Sequence, residues 1–237
     1  MIEMIRLFLS ALIFSLACSA GAASPAGSGF TAVYSLARNG IEMGQVTDAF
    51  RRTGEHYSLV SESRATGALK YIVPGTNRLE SHGMISNNSL SPTLYRRLRS
   101  DNPKKTDQVE FDWKAMSLTL RHNNLVRQES LSAGTQDNLS QIYSFLYLPS
   151  LPDKVVVPIA NGKDVDIYRY NQYPASALTT PAGTFDVVEY RRDAAPGQKA
   201  ISVWISRNLP HLPVKIRVVE DGVRVEQKLT SLTKAGG

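Results

Sequence analysis

The stretch Val214–Leu229, which reads VKIRVVEDGVRVEQKL, decides the fold class of this chain. From Val214 to Val218 aliphatic residues alternate with basic ones, which is the period of a strand with one buried face. The pair Asp221-Gly222 follows, and both residue types tolerate the positive φ that a type I′ hairpin turn needs. A second alternating run returns to Leu229. The sequence therefore predicts an antiparallel β-hairpin here.

The same period of two recurs along the chain on the N-terminal side of this hairpin. Phe30–Leu36 and Ile41–Phe50 are predicted strands joined by a tight turn at Asn39-Gly40, and Gly44 indicates a bulge. The other predicted strands are His56–Arg64, Lys70–Val73, Leu79–Ile85, Thr93–Arg99, Gln108–Asp112, Met116–Arg121, Val155–Ile159, Val165–Tyr170, Phe185–Arg191 and Ile201–Ile205.

One segment, residues 137–148, has a helical period instead. Its apolar residues fall at i, i+3, i+4, i+7 and i+8, namely Leu139, Ile142, Tyr143, Leu146 and Tyr147. Thr135 or Asp137 can cap the N-terminus, and Pro149 and Pro152 end the helix. The predicted fold is therefore mainly β: a curved antiparallel sheet or open barrel of many short strands with one buried amphipathic helix.

The N-terminal residues are typical of an exported protein. Residues 1–23 combine a basic start, an apolar run over Leu7–Ala17 and a small-residue end, which predicts a signal peptide. An alternative is a lipid anchor on Cys18, the one cysteine of the chain, which also excludes a disulfide framework. Residues 24–29 are predicted to be a flexible linker and 30–237 a single β-rich domain. We expect a periplasmic location and a mature chain that does not span a membrane.

Motifs that would indicate catalysis, a metal or a cofactor are missing from the 237 residues. There is no G-x-S-x-G, no phosphate loop and no metal-ligand spacing among the four histidines. We therefore predict no catalytic residue, no metal and no cofactor. A polysaccharide hydrolase is a further alternative, since Glu110 and Asp112 lie two apart on a predicted strand, although such a pair is usually a solvated face.

Aromatic and basic residues supply the candidate binding sites. A curved sheet encloses an interior that side chains usually fill, and an open apolar cavity is the alternative. For that alternative, the predicted contacts with a lipid or acyl ligand are Trp113, Tyr143, Tyr147 and Trp204. The predicted contacts with an anionic group are Arg96, Arg97 and Arg99. The formal net charge of +6 suits anionic lipid, and an exported protein rarely meets nucleic acid.

Five blocks of sequence stand out in the second half of the chain: Gln136–Ser140, Asn161–Lys163, Thr180–Phe185, Val203–Ser206 and Leu212–Ile216. In these blocks the chain resembles the uncharacterised domain-of-unknown-function family numbered 3108, exported proteins of Gram-negative bacteria. The resemblance spans Tyr34 to Leu232. Members commonly carry an acidic pair after the Trp-x-Ser element, where this chain has Arg207 and Asn208. The family has no established activity to carry over. In architecture, a curved sheet around a helix is also similar to the lipoprotein-carrier proteins of the periplasm.

These observations favour a non-catalytic periplasmic protein that binds a lipid or another apolar component of the envelope. The first alternative is a protein–protein interaction module of envelope assembly. In that case an edge strand or the arginines around Arg97 would dock an envelope protein. A large apolar cavity would support ligand binding, whereas a filled interior with an exposed apolar patch would support the interaction module.

Overall fold

The computed structural model describes residues 28–71, 75–102, 104–207 and 211–235. The strands are β1 Ser28–Arg38, β2 Ile41–Thr53, β3 His56–Ala65, β4 Thr76–Ser86, β5 Ser89–Arg99, β6 Asp107–Asp112, β7 Ser117–His122, β8 Leu125–Ser130, β9 Gln136–Asp137, β10 Lys154–Ala160, β11 Val165–Pro174, β12 Leu178–Thr180, β13 Gly183–Phe185, β14 Val187–Arg192, β15 Ala200–Ser206, β16 Pro213–Glu220 and β17 Val223–Ala235. An α-helix, α1, spans Ser140–Tyr143, and 3₁₀ helices span Gly67–Tyr71 and Ser144–Tyr147.

Fifteen of these strands form one sheet, which confirms the predicted fold class. Their order is β8-β7-β6-β5-β4-β3-β2-β1-β17-β16-β15-β14-β11-β10-β9, and β12 and β13 form a separate hairpin. Neighbouring strands are antiparallel except for a two-residue parallel contact between β9 and β10. Both predicted tight turns are present, with φ of 50° and 85° at Asn39 and Gly40 and of 49° and 75° at Asp221 and Gly222.

Some of the predicted boundaries differ from the structure. The predicted strand Lys70–Val73 is wrong at Lys70 and Tyr71, because Gly67, at φ 59°, turns the chain into the 3₁₀ helix that ends at Tyr71. Ile72 and Val73 lie outside the described residues. β1 begins at Ser28, two residues before the predicted start at Phe30. The predicted signal peptide and Cys18 lie outside the described residues. In the part of the chain that is described, no helix combines the length and the apolar character that crossing a membrane requires.

The predicted helix over residues 137–148 is shorter and tighter than its period indicated. β9 takes up Asp137, and the remaining turns are the four residues of α1 followed by the 3₁₀ helix that ends at Tyr147. Tyr143 and Phe145 are both buried, although they are only two residues apart. A long α-helix would point those two side chains away from each other, so the tighter turn follows from burying both. Residues 140–147 are called the plug below.

The plug lies against the apolar inner face of the curved sheet. Tyr34, Leu59, Tyr95 and Val203 on four different strands are fully buried there, as the period of two predicts. Phe145 of the plug packs on Tyr190 with ring centroids 4.8 Å apart. The sheet therefore curves around the plug, which fills the middle of the fold.

The two ends of the sheet meet through side chains and turns rather than through a ladder of strand hydrogen bonds. Among the described strands, no pairing joins β8 to β9, so the sheet is not closed into a barrel. The Gln136 side chain donates to the Leu90 carbonyl over 2.7 Å, and Arg127 lies 3.6 Å from Asp164. Gly162 packs directly on β6, where an added Cβ would come within 2.7 Å of the Asp107 Cβ.

The close contact between Gly162 and Asp107 predicts how an alanine at position 162 changes stability, and Gly222 provides a matched control. Gly162 and Gly222 both have positive φ, so alanine strains either backbone, by about 1–2 kcal/mol. Gly222 has open space around its Cβ position, whereas Gly162 has Asp107 there. We expect Gly162→Ala to lower the free energy of unfolding by roughly 1–3 kcal/mol more than Gly222→Ala does, through overpacking. Urea unfolding followed by tryptophan fluorescence measures both, and equal losses would contradict the close contact between the sheet ends.

Candidate functional site

The plug is tied to the sheet at its N-terminus by a buried carboxylate. Asp137 Oδ1 accepts hydrogen bonds from the backbone N–H groups of Leu139 and Ser140, both at 2.8 Å. The predicted capping role of Asp137 is therefore confirmed. Its Oδ2 accepts from the Ser81 hydroxyl over 2.6 Å, and that hydroxyl contacts Tyr57 Oη at 2.9 Å. One aspartate thus orders the start of the plug and attaches it to β3 and β4.

A second buried carboxylate, Asp48 on β2, holds the other half of the plug. The Tyr143 hydroxyl donates a short hydrogen bond to Asp48 Oδ2. Tyr143 Oη also lies 3.3 Å from the hydroxyl of Tyr34, which donates to the Pro213 carbonyl over 2.9 Å. These side chains are buried, so the contacts are shielded from water.

Burial shifts the protonation of both carboxyls. The pKa of Asp48 is raised to about 6 because burial penalises the charged form, and the nearby hydroxyls of Ser61 and Tyr143 offset only part of this. The pKa of Asp137 is raised to about 6 for the same reason, against the opposing hydrogen bonds from Ser81 and from the backbone of Ser140. Burial also raises the pKa of Tyr143 well above its ordinary value.

A polar cavity of about 680 Å³ lies beside the plug, and Asp48 of β2 forms part of its wall. It is bounded by β2–β7, by residues 138–143, by the β10–β11 turn and by the connection from β14 to β15. Its charged residues are Asp48, Arg97, Asp107, Lys163, Asp166, Arg192, Lys199 and Glu220, joined by His122. The interior is therefore not filled by side chains at this end of the fold, and the cavity is polar rather than apolar.

Most of the charged groups in this cavity are already paired. Asp107 is buried and lies 2.6 Å from His122 Nδ1 and 3.2 Å from Arg97 Nε. The Arg192 guanidinium stacks 3.6 Å above the centroid of the Tyr168 ring. It also donates to the Lys199 carbonyl over 2.8 Å. The cavity wall thus combines a neutralised set of charges with polar groups that remain available to a ligand.

A smaller apolar groove of about 290 Å³ lies at the other end of the plug. Phe30 and Phe50 form its floor, stacked with centroids 5.4 Å apart, and the Tyr147 ring lies 6.3 Å from Phe50. The remaining residues around it are Ser28, Gly29, Leu146, Leu212, Leu232 and Lys234. The Arg52 guanidinium acts on Tyr147 and lowers its pKa, although burial of the ring raises that pKa more. The groove is therefore aromatic, with two cations near its margin.

The four aromatic residues predicted to form one apolar site do not lie together. Tyr143 borders the polar cavity and Tyr147 the apolar groove. Trp113 stacks on Phe111 and donates its indole N–H to the Pro92 carbonyl over 2.6 Å. Trp204 lies beside Lys215 and Arg217, on the face of its strand opposite to the buried side chains of Val203 and Ile205.

The three arginines predicted to contact anions do not form one patch either. Arg97 lies on the cavity side beside Asp107, whereas Arg96 alternates to the other side and donates to the Gln108 amide oxygen over 3.2 Å. Arg99 pairs with Asp101 at 2.7 Å. Arg97 and Arg99 border a further cleft of about 490 Å³, so the strand period separates them from Arg96.

The two carboxylates of the hydrolase alternative are held by their neighbours. Glu110 Oε1 accepts from the Gln108 amide over 2.6 Å and lies 3.4 Å from Arg121 Nε. Asp112 Oδ1 accepts the backbone N–H groups of Lys114 and Ala115, which is the role of a turn residue. Within the described ranges, no group of three or more His, Cys, Asp or Glu side chains is placed to hold a metal ion.

Sequence reasoning missed Asp48, which links the plug to the sheet and borders the cavity. The signal was present, because Val46, Asp48 and Phe50 share one face of a predicted strand and the outer two are apolar. A carboxylate in an apolar stripe must either be paired or protonated when the strand is buried. The stripe could therefore have indicated a buried polar partner, but not that the partner is Tyr143, about a hundred residues away in sequence.

Comparisons with known proteins show the family of this chain, and one solved structure shares its fold. The model of the family described as "Protein of unknown function (DUF3108)" matches residues 30–228. None of the curated proteins matches the chain. A crystal structure of a beta-barrel-like protein of the family DUF1849 from Brucella abortus is similar with a TM-score of 0.54 and 10% identity, over 88% of this chain and 98% of the other. A candidate lipoprotein from Parabacteroides distasonis aligns with a TM-score of 0.36 and 11% identity, over 88% and 97%.

The raised carboxyl pKa values predict how stability depends on pH. Asp48 and Asp137 have pKa values of about 6 in the fold and an ordinary value of 3.8, so the native state binds more protons than the unfolded chain between these limits. The free energy of unfolding gains from both groups below pH 4 and loses this gain as the pH rises through 6. Each group contributes on the order of 3 kcal/mol, at 1.36 kcal/mol per pKa unit.

Asp48→Asn removes one of these two contributions. We expect the stability of the natural protein minus that of the variant to fall by about 2 kcal/mol between pH 4 and pH 7. Urea unfolding at several pH values measures this difference. The control variant is Asp101→Asn. The hydrogen bond from Arg99 lowers the pKa of this exposed carboxyl, so the stability of the natural protein minus that of this variant rises with pH, and by a smaller amount. A difference for Asp48→Asn that stays constant with pH would show that its carboxyl pKa is not raised.

Proposed function

Since the chain belongs to the DUF3108 family, whose function is unknown, we propose from its geometry that it is a non-catalytic envelope protein that binds the acyl part of a lipid or a similar apolar component. The observation that carries the proposal is the apolar groove beside Phe30, Phe50 and Tyr147. The predicted signal peptide supports a periplasmic location. The carboxylates of Glu110 and Asp112 already accept hydrogen bonds from the Gln108 side chain and from the backbone of Lys114, which supports a function without catalysis.

The groove suits an acyl chain because its walls are aromatic and aliphatic side chains that belong to three separate parts of the fold. Phe30 and Phe50 come from β1 and β2, Tyr147 from the plug, and Leu232 from β17. Each methylene moved from water into such a site is worth about 0.8 kcal/mol. A chain that buries on the order of ten methylenes therefore reaches the ~8 kcal/mol of a micromolar complex.

The charges near the groove favour an amphiphile with an anionic headgroup. Lys234 borders the groove, and Arg52 acts on Tyr147, which also borders it. A carboxylate or phosphate at the end of an acyl chain would meet these cations while the chain stays in contact with the aromatic rings. The formal net charge of +6 adds a weaker attraction to anionic lipids.

A second candidate function, a protein-interaction module, is favoured by the sheet edge at β8. All six residues of Leu125–Ser130 are exposed, and the exposed fractions of Leu125 and Val126 are 69% and 56%. An exposed edge strand with apolar side chains can pair with an extended segment of another protein. Pairing of this kind would leave the groove free, so the two candidates are separable by mutation.

Palmitate titrated by calorimetry tests the lipid proposal. We expect saturable binding at micromolar concentration, and we expect Leu232→Glu to weaken it at least tenfold because a charge then lies in the groove. The matched control, Leu125→Glu, makes the same exchange on β8 and should leave palmitate affinity unchanged. Failure of the natural protein to bind palmitate, or equal affinities in both variants, would reject the groove as the acyl site.

A further inference from the structure

The polar cavity has the character of a binding site that the proposed lipid function does not use. The plug separates the two openings, because Asn138–Tyr143 borders the cavity whereas Leu146 and Tyr147 border the groove. The cavity volume of about 680 Å³ lies within the 300–1,000 Å³ that small-molecule sites usually have. The chemical character of the side chains that line the cavity therefore decides which ligand it can bind.

One buried carboxylate in the wall of this cavity, that of Asp48, is only partly hydrogen-bonded. Asp48 is 98% buried, and its Oδ2 is occupied by the Tyr143 hydroxyl. Its Oδ1 makes no hydrogen bond of good geometry among the described residues, although the Ser61 hydroxyl lies close enough to lower the pKa of the carboxyl. Arg192 of β14 also borders the cavity and is buried, and its Nε–H likewise lacks a partner in the described part of the chain. Leaving buried polar groups unpaired costs free energy, so both call for a ligand or for ordered water.

Side-chain amides supply the rest of the available polar groups. The cavity is bordered by Asn138, Gln141, Asn161, Gln198 and Gln227. Gln141 is already used, because its oxygen accepts from the Tyr170 hydroxyl over 2.9 Å and its NH₂ group donates to the Asn138 carbonyl over 3.4 Å. The Asn138 side chain is engaged with Tyr95, so the other three amides are the ones that a ligand can reach. Asn161 uses its oxygen for the N–H groups of Lys163 and Asp164, and Gln198 uses its oxygen for Arg192 and Ala195. The NH₂ groups of Asn161 and Gln198 can therefore donate hydrogen bonds to other partners. An amide side chain offers both a donor and an acceptor without a net charge.

The charges of the wall argue against a strongly charged ligand. Four acidic and four basic side chains border the cavity and balance one another. Asp107 is paired with Arg97 and His122, and Lys199 lies 3.4 Å from Glu220. A ligand with many hydroxyl groups, each of which both donates and accepts, fits this surface better than a phosphate or a bare ammonium group.

From this combination we infer that the cavity binds a short, neutral oligosaccharide. A ligand hydroxyl donates to Asp48 Oδ1, and other hydroxyls accept from the amides and from Arg192 Nε–H. Lys163 and Lys199 are exposed and lie at the outer part of the cavity, where a longer glycan would continue into solvent. The site binds without cleaving, and it is independent of the acyl chain in the groove.

The test uses the full mature protein and three neutral trisaccharides as probes: maltotriose, cellotriose and chitotriose. We expect at least one of them to bind saturably in calorimetry and to shift the side-chain amide NMR signals of the cavity residues. Asp48→Asn should weaken that binding about tenfold, because a hydrogen bond to a charged acceptor is the stronger kind. Gln227→Leu should weaken it several-fold, since the side chain keeps its size and loses its polar end.

Two control variants separate loss of the site from damage to the fold. Asp137→Asn alters a carboxyl that is equally buried but lies outside the cavity, and Gln128→Leu alters an exposed glutamine on β8. Gln128→Leu should bind the trisaccharide like the natural protein. Asp137→Asn should weaken binding less than Asp48→Asn does, because Asp137 only positions residues 138–143 and offers no atom to the ligand. The absence of binding to all three probes, or equal weakening by Asp48→Asn and Asp137→Asn, would overturn the inference. Palmitate binding is measured in parallel, so failure of the groove and failure of the cavity are distinguished.

Discussion

The buried hydrogen bond from Tyr143 to Asp48 is the contact on which the arrangement of this structure depends. A strongly curved sheet has a concave face that must be covered, and here a plug of only two short helical turns covers it. Turns of that length are unstable alone, because helix nucleation is costly. Asp137 at the start of the plug and Asp48 at its middle hold it by hydrogen bonds that water cannot reach. The raised pKa of each carboxyl shows that this attachment has a cost at neutral pH.

The position of the plug also explains why the two ends of the fold differ in polarity. Along the inner face of β2, Phe50 borders the groove and Asp48, one step further on the same face, borders the cavity. Along β3 the inner residues likewise pass from the apolar Leu59 to Ser61. The change from apolar to polar thus occurs at the same level on neighbouring strands. The plug lies across that level, so each of its ends faces a surface of matching character.

Local patterns in the sequence were sufficient to predict most of the sheet, but they could not predict the apolar groove or the polar cavity. The period of two and the pairs Asn39-Gly40 and Asp221-Gly222 depend on neighbouring residues alone, so strands and hairpins could be predicted. The extent of the helix could not be, because burial of Tyr143 and Phe145 against distant strands decides it. Trp204 is a comparable case, since aromatic character does not reveal which face of a strand points inward.

The separation of groove and cavity limits what a single ligand can do in this conformation. An acyl chain beside Phe50 and a sugar beside Asp48 would lie on opposite sides of Tyr143, whose ring is fully buried between them. A glycolipid could occupy both places only if the plug moved, which would break the hydrogen bonds of Asp48 and expose its carboxylate to water. Such exposure relieves the penalty that raises its pKa, so the free energy of moving the plug is smaller at neutral pH than at pH 4. The same carboxylate that holds the plug in place therefore also sets how readily the two sites could be joined.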